Sequence, residues 1–237
     1  TGADAGNYSL TDRQLTGNLG TITQLASVTW VGGASTNNWS NAANWANGAI
    51  PVRGNVAQIN IPTAANIIYD SGVVGQLASS STIINNGTIT FNSPSAFTFA
   101  NNVSGSGSIN QLGLGELTIS GDNSFTGGIR IDGNRLVLAS TNALGTGSIT
   151  STGGYLSLAS GTTLSQLTVN GAINLLTDVR TVGAQTYNGA VTVLANNVVN
   201  NAIAPMQFIS SNSDITFAST LDAGVDSKTA QRSILID

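Results

Sequence analysis

Three tryptophans are the residues best suited to binding a ligand in this sequence. Trp30, Trp39 and Trp45 lie in one stretch near the N-terminus, and asparagines such as Asn38 and Asn44 stand beside them. Indole faces stack on sugar rings and amides bind hydroxyls, so the segment is a candidate site for carbohydrate or a receptor. The other interpretation is that the rings pack over one end or side of the fold, because large aromatics are most often core residues. We favour packing and keep binding as the alternative.

Acid–base catalysis has few candidate residues. The chain contains no histidine and no cysteine, which removes the commonest general base and all thiolate chemistry. Arg130 with Asp132, and Asp178 with Arg180, are spaced to share a strand face, and we predict two surface ion pairs rather than a catalytic site. Hydrolysis of polysaccharides needs paired carboxylates, and we find no such pair. We therefore predict that the chain is not an enzyme and needs no cofactor.

Three carboxylates near the C-terminus suggest one further chemistry. Asp214, Asp222 and Asp226 together offer oxygen ligands of the kind that Ca²⁺ takes. No EF-hand or nonapeptide calcium pattern accompanies them, so a solvated loop is the favoured interpretation. We predict no metal site and leave weak calcium binding open.

Composition narrows the class of partner. Only 8% of the residues are charged and 41% are hydrophobic, so the chain can fold although ordinary domains are about 25% charged. The formal net charge is -4, and the seven basic residues are scattered, which argues against nucleic acid. No apolar run reaches the length of a membrane-spanning helix, so we predict no transmembrane segment.

Short apolar–x–apolar triplets recur along the chain with a period near twenty. One series occupies residues 97–99, 117–119, 136–138 and 156–158, continues at 173–175 and 191–193, and resumes at 215–217 and 234–236. A second series is interleaved and consists of Ile109, Ile129, Ile149 and Val169, each twenty residues from the next. Two strand tracks with a shared period indicate a coiled β architecture.

One coil of about twenty residues cannot bury its own apolar face, so neighbouring coils must stack. Alternation along a strand then puts the first and third residues of each triplet inside and the middle one outside. We predict an all-β parallel β-helix, or solenoid, with about ten coils. Asn102, Asp122 and Asn142 are also twenty apart and are predicted to stack as a polar ladder at one corner.

The N-terminal part departs from the repeat and suggests a division of the chain. Residues 1–25 do not fit the period and are predicted to be the end of a preceding small β-module or a linker. Residues 26–80 are predicted to form the tryptophan-rich start of the solenoid. Residues 81–237 are predicted to form its regular coils.

Residues 113–150 resemble the autotransporter-associated β-strand repeat. The matching positions are Gly113, Gly115, Leu117, Ile119, Ser120, Gly121, Asn123, Phe125, Thr126, Gly127, Gly128, Ile131 and Leu136. The spacing departs slightly near the end of the motif. Residues 30–51 are similar to the tryptophan-rich block that often precedes such repeats. Residues 182–193 are similar to filamentous-haemagglutinin-type exoproteins, and residues 1–11 look like the last strand of a small β-module in those proteins.

These resemblances imply a bacterial type V secreted surface protein, closest to the exoproteins of two-partner secretion. The implied passenger is a right-handed parallel β-helix that crosses an outer-membrane translocation pore and then remains secreted or at the cell surface. Its implied role is a rigid adhesive stalk in surface attachment or biofilm formation. Its partners would be a polysaccharide or a receptor on a host or bacterial cell. The family has no catalytic residues to carry over.

Overall fold

The computed structural model describes residues 24–70, 72–73, 77–132, 134–194, 197–199, 202–204, 206–222 and 234–237 of the 237-residue chain. The proposed N-terminal module at residues 1–25 lies outside this part of the chain except for its last two residues. The described residues form a parallel β-solenoid with almost no helix, which confirms the predicted fold class. The solenoid has about 7 turns instead of about ten.

The regular elements are short strands joined by turns, with two 3-10 helices near the N-terminus. The 3-10 helices are Ala42–Asn44 and Ala46–Gly48. The strands are β1 (Leu25–Thr29), β2 (Val56–Ile61), β3 (Asn66–Tyr69), β4 (Thr82–Asn85), β5 (Thr88–Phe91), β6 (Phe97–Phe99), β7 (Val103–Ser104), β8 (Ser108–Gln111), β9 (Leu117–Ile119), β10 (Ile129–Ile131), β11 (Arg135–Leu138), β12 (Ile149–Ser151), β13 (Gly154–Leu158), β14 (Leu167–Asn170), β15 (Ile173–Leu175), β16 (Val179–Thr181), β17 (Gln185–Tyr187), β18 (Val191–Val193), β19 (Asn197–Val199), β20 (Ala202–Ala204), β21 (Met206–Ser210), β22 (Ile215–Phe217), β23 (Leu221–Asp222) and β24 (Ile234–Ile236).

Successive coils contribute one strand each to long stacked sheets. The eight-stranded sheet has the order β22-β17-β14-β12-β10-β8-β5-β3, and the seven-stranded sheet has the order β23-β18-β15-β13-β11-β9-β6. A four-stranded sheet, β1-β2-β4-β7, and a three-stranded sheet, β16-β21-β24, are two further stacks. Neighbouring strands within these four sheets run parallel, as the repeat predicts.

The two interleaved series form the centres of the two longest sheets. Ile109, Ile129, Ile149 and Val169 pair in register across the eight-stranded sheet. Leu117, Leu136 and Leu156 pair in the same way across the seven-stranded sheet. All seven side chains are buried. The predicted inward direction of the triplets is therefore confirmed for these coils, and their stacked side chains form a continuous apolar interior.

The register of the later triplets differs from equal spacing in two places. Leu156 pairs with Leu175, so the strand slips by two residues and the coil keeps a length of 19. Further on, Ile215–Phe217 pairs with Gln185–Tyr187 in the eight-stranded sheet and does not follow Val191–Val193. The predicted continuation of the triplet series is therefore wrong at this point.

The reason for the change of sheet is a longer coil. The coil from Gln185 to Ile215 spans 30 residues and includes an antiparallel hairpin formed by β19 and β20. Ile234–Ile236 then pairs with the strand that begins at Met206, 28 residues earlier. Because each strand alternates in the same way, its sequence does not specify the sheet to which it belongs. Such long coils also explain why the solenoid has fewer turns than predicted.

Glycines at the turns allow neighbouring coils to approach closely. A Cβ atom on Gly121 would lie 2.0 Å from the carbonyl oxygen of Asn101, and one on Gly115 would lie 2.2 Å from that of Ser95. Both distances are far below van der Waals contact. A side chain at either position would therefore push two coils apart.

Candidate functional site

The tryptophan-rich segment forms the first described coil of the solenoid. Leu25 at its start pairs with Val56, 31 residues later, and Asn38 forms a parallel bridge with Ile68. The segment between β1 and β2 thus adds a rung beside β3. Its extra length accommodates the two 3-10 helices, the first of which is capped by Asn41 through a hydrogen bond from the backbone of Ala43.

The three indole rings pack inside this coil. Trp30, Trp39 and Trp45 are 5%, 0% and 2% exposed. The centroid of Trp45 lies 5.1 Å from that of Trp30 and 4.8 Å from that of Trp39, in edge-on arrangements typical of aromatic pairs. Trp39 also packs edge-on against Tyr69, at 5.3 Å, and so joins the first coil to the interior of the next.

The polar atoms of this cluster bond to the protein. The indole nitrogen of Trp39 donates to the carbonyl of Pro51 at 3.1 Å, and that of Trp45 donates to the carbonyl of Trp39 at 2.7 Å. Buried indole N–H groups require such partners. Both rings are therefore fixed by hydrogen bonds as well as by packing.

The neighbouring asparagines support the same coil. Asn44 is fully buried, and its amide nitrogen donates to the carbonyls of Thr36 at 2.7 Å and Asn38 at 3.0 Å. Its side-chain oxygen accepts from the backbone of Ala34 at 2.9 Å. Asn38 is half-buried and contributes backbone bonds. Asn44 is thus fully occupied in holding the loop around the indole cluster.

The indole faces are covered by protein in this structure, as the packing interpretation expects. A sugar ring would need an open face to stack on, and the observed cluster gives each ring protein neighbours instead. Glycan binding through Trp30, Trp39 and Trp45 therefore has no geometric support here. Binding elsewhere on this coil stays a prediction.

The two predicted ion pairs are present, and a third lies beside them. Arg130 and Asp132 approach to 2.7 Å, and Arg180 and Asp178 to 3.3 Å. The hydrogen bond from Arg130 holds the pKa of Asp132 below its usual value. These pairs are partly exposed and isolated, so they give no paired carboxylates for acid–base chemistry.

The third ion pair joins Glu116 to Arg135 at 2.8 Å. We missed it in the sequence because the two residues are 19 positions apart. The signal for it was the period itself, which places residues about one coil apart beside each other. The same rule puts the hydroxyl of Thr152 next to the carboxylate of Asp132, at 2.9 Å.

The polar ladder predicted at one corner is confirmed. The side-chain oxygen of Asn102 accepts from the backbone of Asp122 at 2.8 Å. The amide of Asn142 donates to the carboxylate of Asp122, also at 2.8 Å. These three residues bond to one another across three coils, so a structural role accounts for their regular spacing.

Metal binding was considered for the carboxylates near the C-terminus. Within the described ranges, no group of three or more histidine, cysteine, aspartate or glutamate residues is placed to hold a metal ion. Asp214 and Asp222 lie in those ranges and are exposed, whereas Asp226 lies outside them. No helix of the described part is long and apolar enough to cross a membrane.

Comparison with protein-family models, with curated proteins and with solved structures found no match to this chain. The class that the geometry defines is a parallel β-solenoid with a continuous apolar interior.

Proposed function

We propose that this chain is a rigid segment of a large secreted bacterial surface adhesin, and that it acts as a stalk in cell attachment or biofilm formation. The resemblance of residues 113–150 to a passenger repeat suggests this class of protein. The parallel solenoid is the architecture that such a passenger would have. Under this proposal the chain crosses an outer-membrane pore unfolded and folds coil upon coil outside the cell.

The observation that carries the proposal is the uninterrupted interior. Buried aliphatic and aromatic residues extend from the tryptophan coil through Ile109 and Leu136 to Phe208 as one core cluster. Each coil is held by its neighbours, as in other solenoids. A structure of this kind resists bending and sets a distance. It is suited to separating an adhesive region from the cell surface.

Removing one complete coil tests the stalk. Deletion of residues 109–128 joins Ser108 to Ile129, whose neighbour in the sheet is Ile109, so every remaining strand keeps its register. The shortened protein should fold, reach the surface of the producing bacterium and support attachment. By small-angle X-ray scattering, the purified chain should be shorter by about 4.8 Å, one strand spacing.

The matched control removes half a coil. Deletion of residues 109–118 brings Ile119 of the seven-stranded sheet into the position of Ile109 in the eight-stranded sheet, and we expect it to prevent cooperative folding. If deletion of residues 109–128 leaves display intact but abolishes attachment, those coils contain a binding site and the stalk proposal is wrong. Absence of the wild-type protein from the cell surface would also contradict it.

A further inference from the structure

The outer face of the eight-stranded sheet carries two aligned rows of uncharged polar side chains. We name the first the hydroxyl row, and it consists of Thr88, Ser108, Ser148, Thr168, Thr186 and Thr216. The second row lies two residues further along each strand and consists of Thr90, Asn110, Arg130, Thr150, Asn170 and Asn188. Neighbours within a row are one coil apart, with a strand spacing of about 4.8 Å, and the rows are about 6.6 Å apart.

The strand pairing keeps the hydroxyl row in register. Thr88 pairs with Ser108, Thr168 pairs with Thr186, and Thr186 pairs with Thr216. The side chains on either side of them, such as Ile149 and Val169, point inward and are buried. The hydroxyl groups therefore lie on the outer face because alternation places them there.

The C-terminal half of the face is its uninterrupted part. At the rung of Ile129 the hydroxyl row has Gly128, and the second row has Arg130 in its ion pair with Asp132. From Ser148 onwards the hydroxyl row has no gap. Asn170 donates to the hydroxyl of Ser148 at 3.1 Å, and Asn188 donates to Asn170 at 2.8 Å.

The hydroxyls of this half are open to a ligand. Within the described part of the chain, no hydrogen bond engages the hydroxyl groups of Thr168, Thr186 or Thr216. Thr216 is exposed, and the other two are half-buried. Each has one donor and two acceptor sites, so each can bind a sugar hydroxyl.

The outer face of the seven-stranded sheet lacks this pattern. Its rungs place Glu116 beside Arg135, and Arg135 beside Tyr155. The next outward positions hold Thr118 and then Val137. The continuous hydroxyl row is thus a property of one face and is not required on every face of a solenoid.

We infer that the face from Ser148 to Thr216 binds an extended, uncharged, β-linked polysaccharide that lies along the solenoid axis. The inference rests on the proposed function, because it gives the surface-exposed stalk its ligand. The absence of charge in this half of the two rows favours a neutral partner over an anionic one. The regular spacing favours a polymer, and a β-linked pyranose in an extended chain has nearly the length of one rung. Recognition is by hydrogen bonds, since the face has no aromatic platform.

Titration calorimetry of the purified chain with cellohexaose, an extended β-linked hexasaccharide, tests the inference. The variant carries Thr168→Val and Thr186→Val, which remove two hydroxyls but keep the side-chain shape and favour strand. Loss of two hydrogen bonds should weaken binding about tenfold. The matched control carries Thr98→Val and Thr118→Val, a paired couple on the seven-stranded sheet, and should bind like the wild type. Circular dichroism and thermal unfolding verify that each variant is folded.

Three results would overturn the inference: no binding of cellohexaose to the wild type, equal binding in the Thr168/Thr186 variant, or equal loss in the control. Equal affinity for maltohexaose, whose α-linkages curve the chain, would also contradict it. The coil-deletion experiment measures length, display and attachment without any glycan. A failed glycan titration with a normal coil-deletion result therefore sinks this inference and leaves the stalk proposal in place.

Discussion

The side-chain oxygen of Asn123 accepts a hydrogen bond from the backbone nitrogen of Val103, at 2.8 Å and one coil away. Its amide nitrogen donates to the carbonyl of Ala143, at 2.8 Å and one coil in the other direction. One buried side chain therefore joins three successive coils. Such a bridge satisfies backbone groups at a corner where the strands of the third stack have ended.

The substitution Asn123→Ala should leave both backbone groups without partners. We expect it to lower the free energy of unfolding by about 2–4 kcal/mol, because each unpaired buried group costs about 1–3 kcal/mol. Denaturant unfolding followed by circular dichroism measures the change. Asn102→Ala is the control, since Asn102 is exposed, and it should cost less than about 1 kcal/mol. Equal effects of the two substitutions would refute the bridging role.

Removal of the central indole should destabilise the first coil. Trp45→Ala deletes a ring that contacts both other tryptophans, and a loss of about 3–5 kcal/mol in the free energy of unfolding is expected. Val31→Ala changes a neighbouring residue that is 58% exposed and should shift stability by no more than about 0.5 kcal/mol.

Tryptophan fluorescence gives an independent check of the same cluster. Since the three indoles are buried, emission of the folded protein should be blue-shifted and poorly quenched by acrylamide. Strong quenching in the folded state would show that the rings are open to solvent and would revive the stacking platform as a binding site.

Stability should fall in alkali because of a buried phenol. Burial raises the pKa of Tyr187 above its ordinary value of 10.0. Stabilisation by the protonated form is complete below pH 10 and is lost as the pH rises towards the raised pKa, because the unfolded chain ionises first. Tyr187→Phe should flatten this loss, while costing about 1 kcal/mol at neutral pH through the hydrogen bond to Gln185.

Phe208 provides the matched control for the alkaline experiment, because its ring lies 5.7 Å from that of Tyr187 and has no hydroxyl. Phe208→Leu should lower the unfolding temperature at every pH and leave the alkaline slope unchanged. An unchanged slope in Tyr187→Phe would contradict the assignment of the alkaline loss to this residue.

The ion pair of Arg130 and Asp132 predicts a small acid dependence. The lowered pKa of Asp132 contributes stability above the unfolded pKa, near 3.8, and this contribution is lost as the pH falls through the folded value. The difference in unfolding temperature between wild type and Asp132→Asn should therefore be largest near neutral pH and vanish in strong acid. Because the pair is partly exposed, about 1 M salt should also reduce it. A difference that persists in acid would point to packing instead.

Several parts of the fold and of the candidate site could be predicted from the sequence alone. Ile109, Ile129, Ile149 and Val169 reveal the stacking by their spacing, and Asn102 and Asp122 reveal the ladder. This works because each coil repeats the same in–out alternation, and a constant coil length places equivalent residues on top of each other.

The tertiary structure decided what a change of coil length does. Leu156 meets Leu175 after a slip of two residues, and Ile215 lies beside Gln185 after a coil of 30. Alternation is a property of one strand, whereas parallel pairing depends on the length of chain between two strands. Gln185 also hid its strand, because a buried amide that donates to the carbonyl of Ile209 breaks the apolar pattern.

The direction of the tryptophan rings was likewise settled by the fold. The sequence determined that Trp30, Trp39 and Trp45 would be near one another, and both packing and sugar binding were consistent with that. Only the three-dimensional path, with Asn38 bridged to Ile68 and Trp39 against Tyr69, places the rings inside. Burial depends on contacts between segments about thirty residues apart, and local sequence does not encode them.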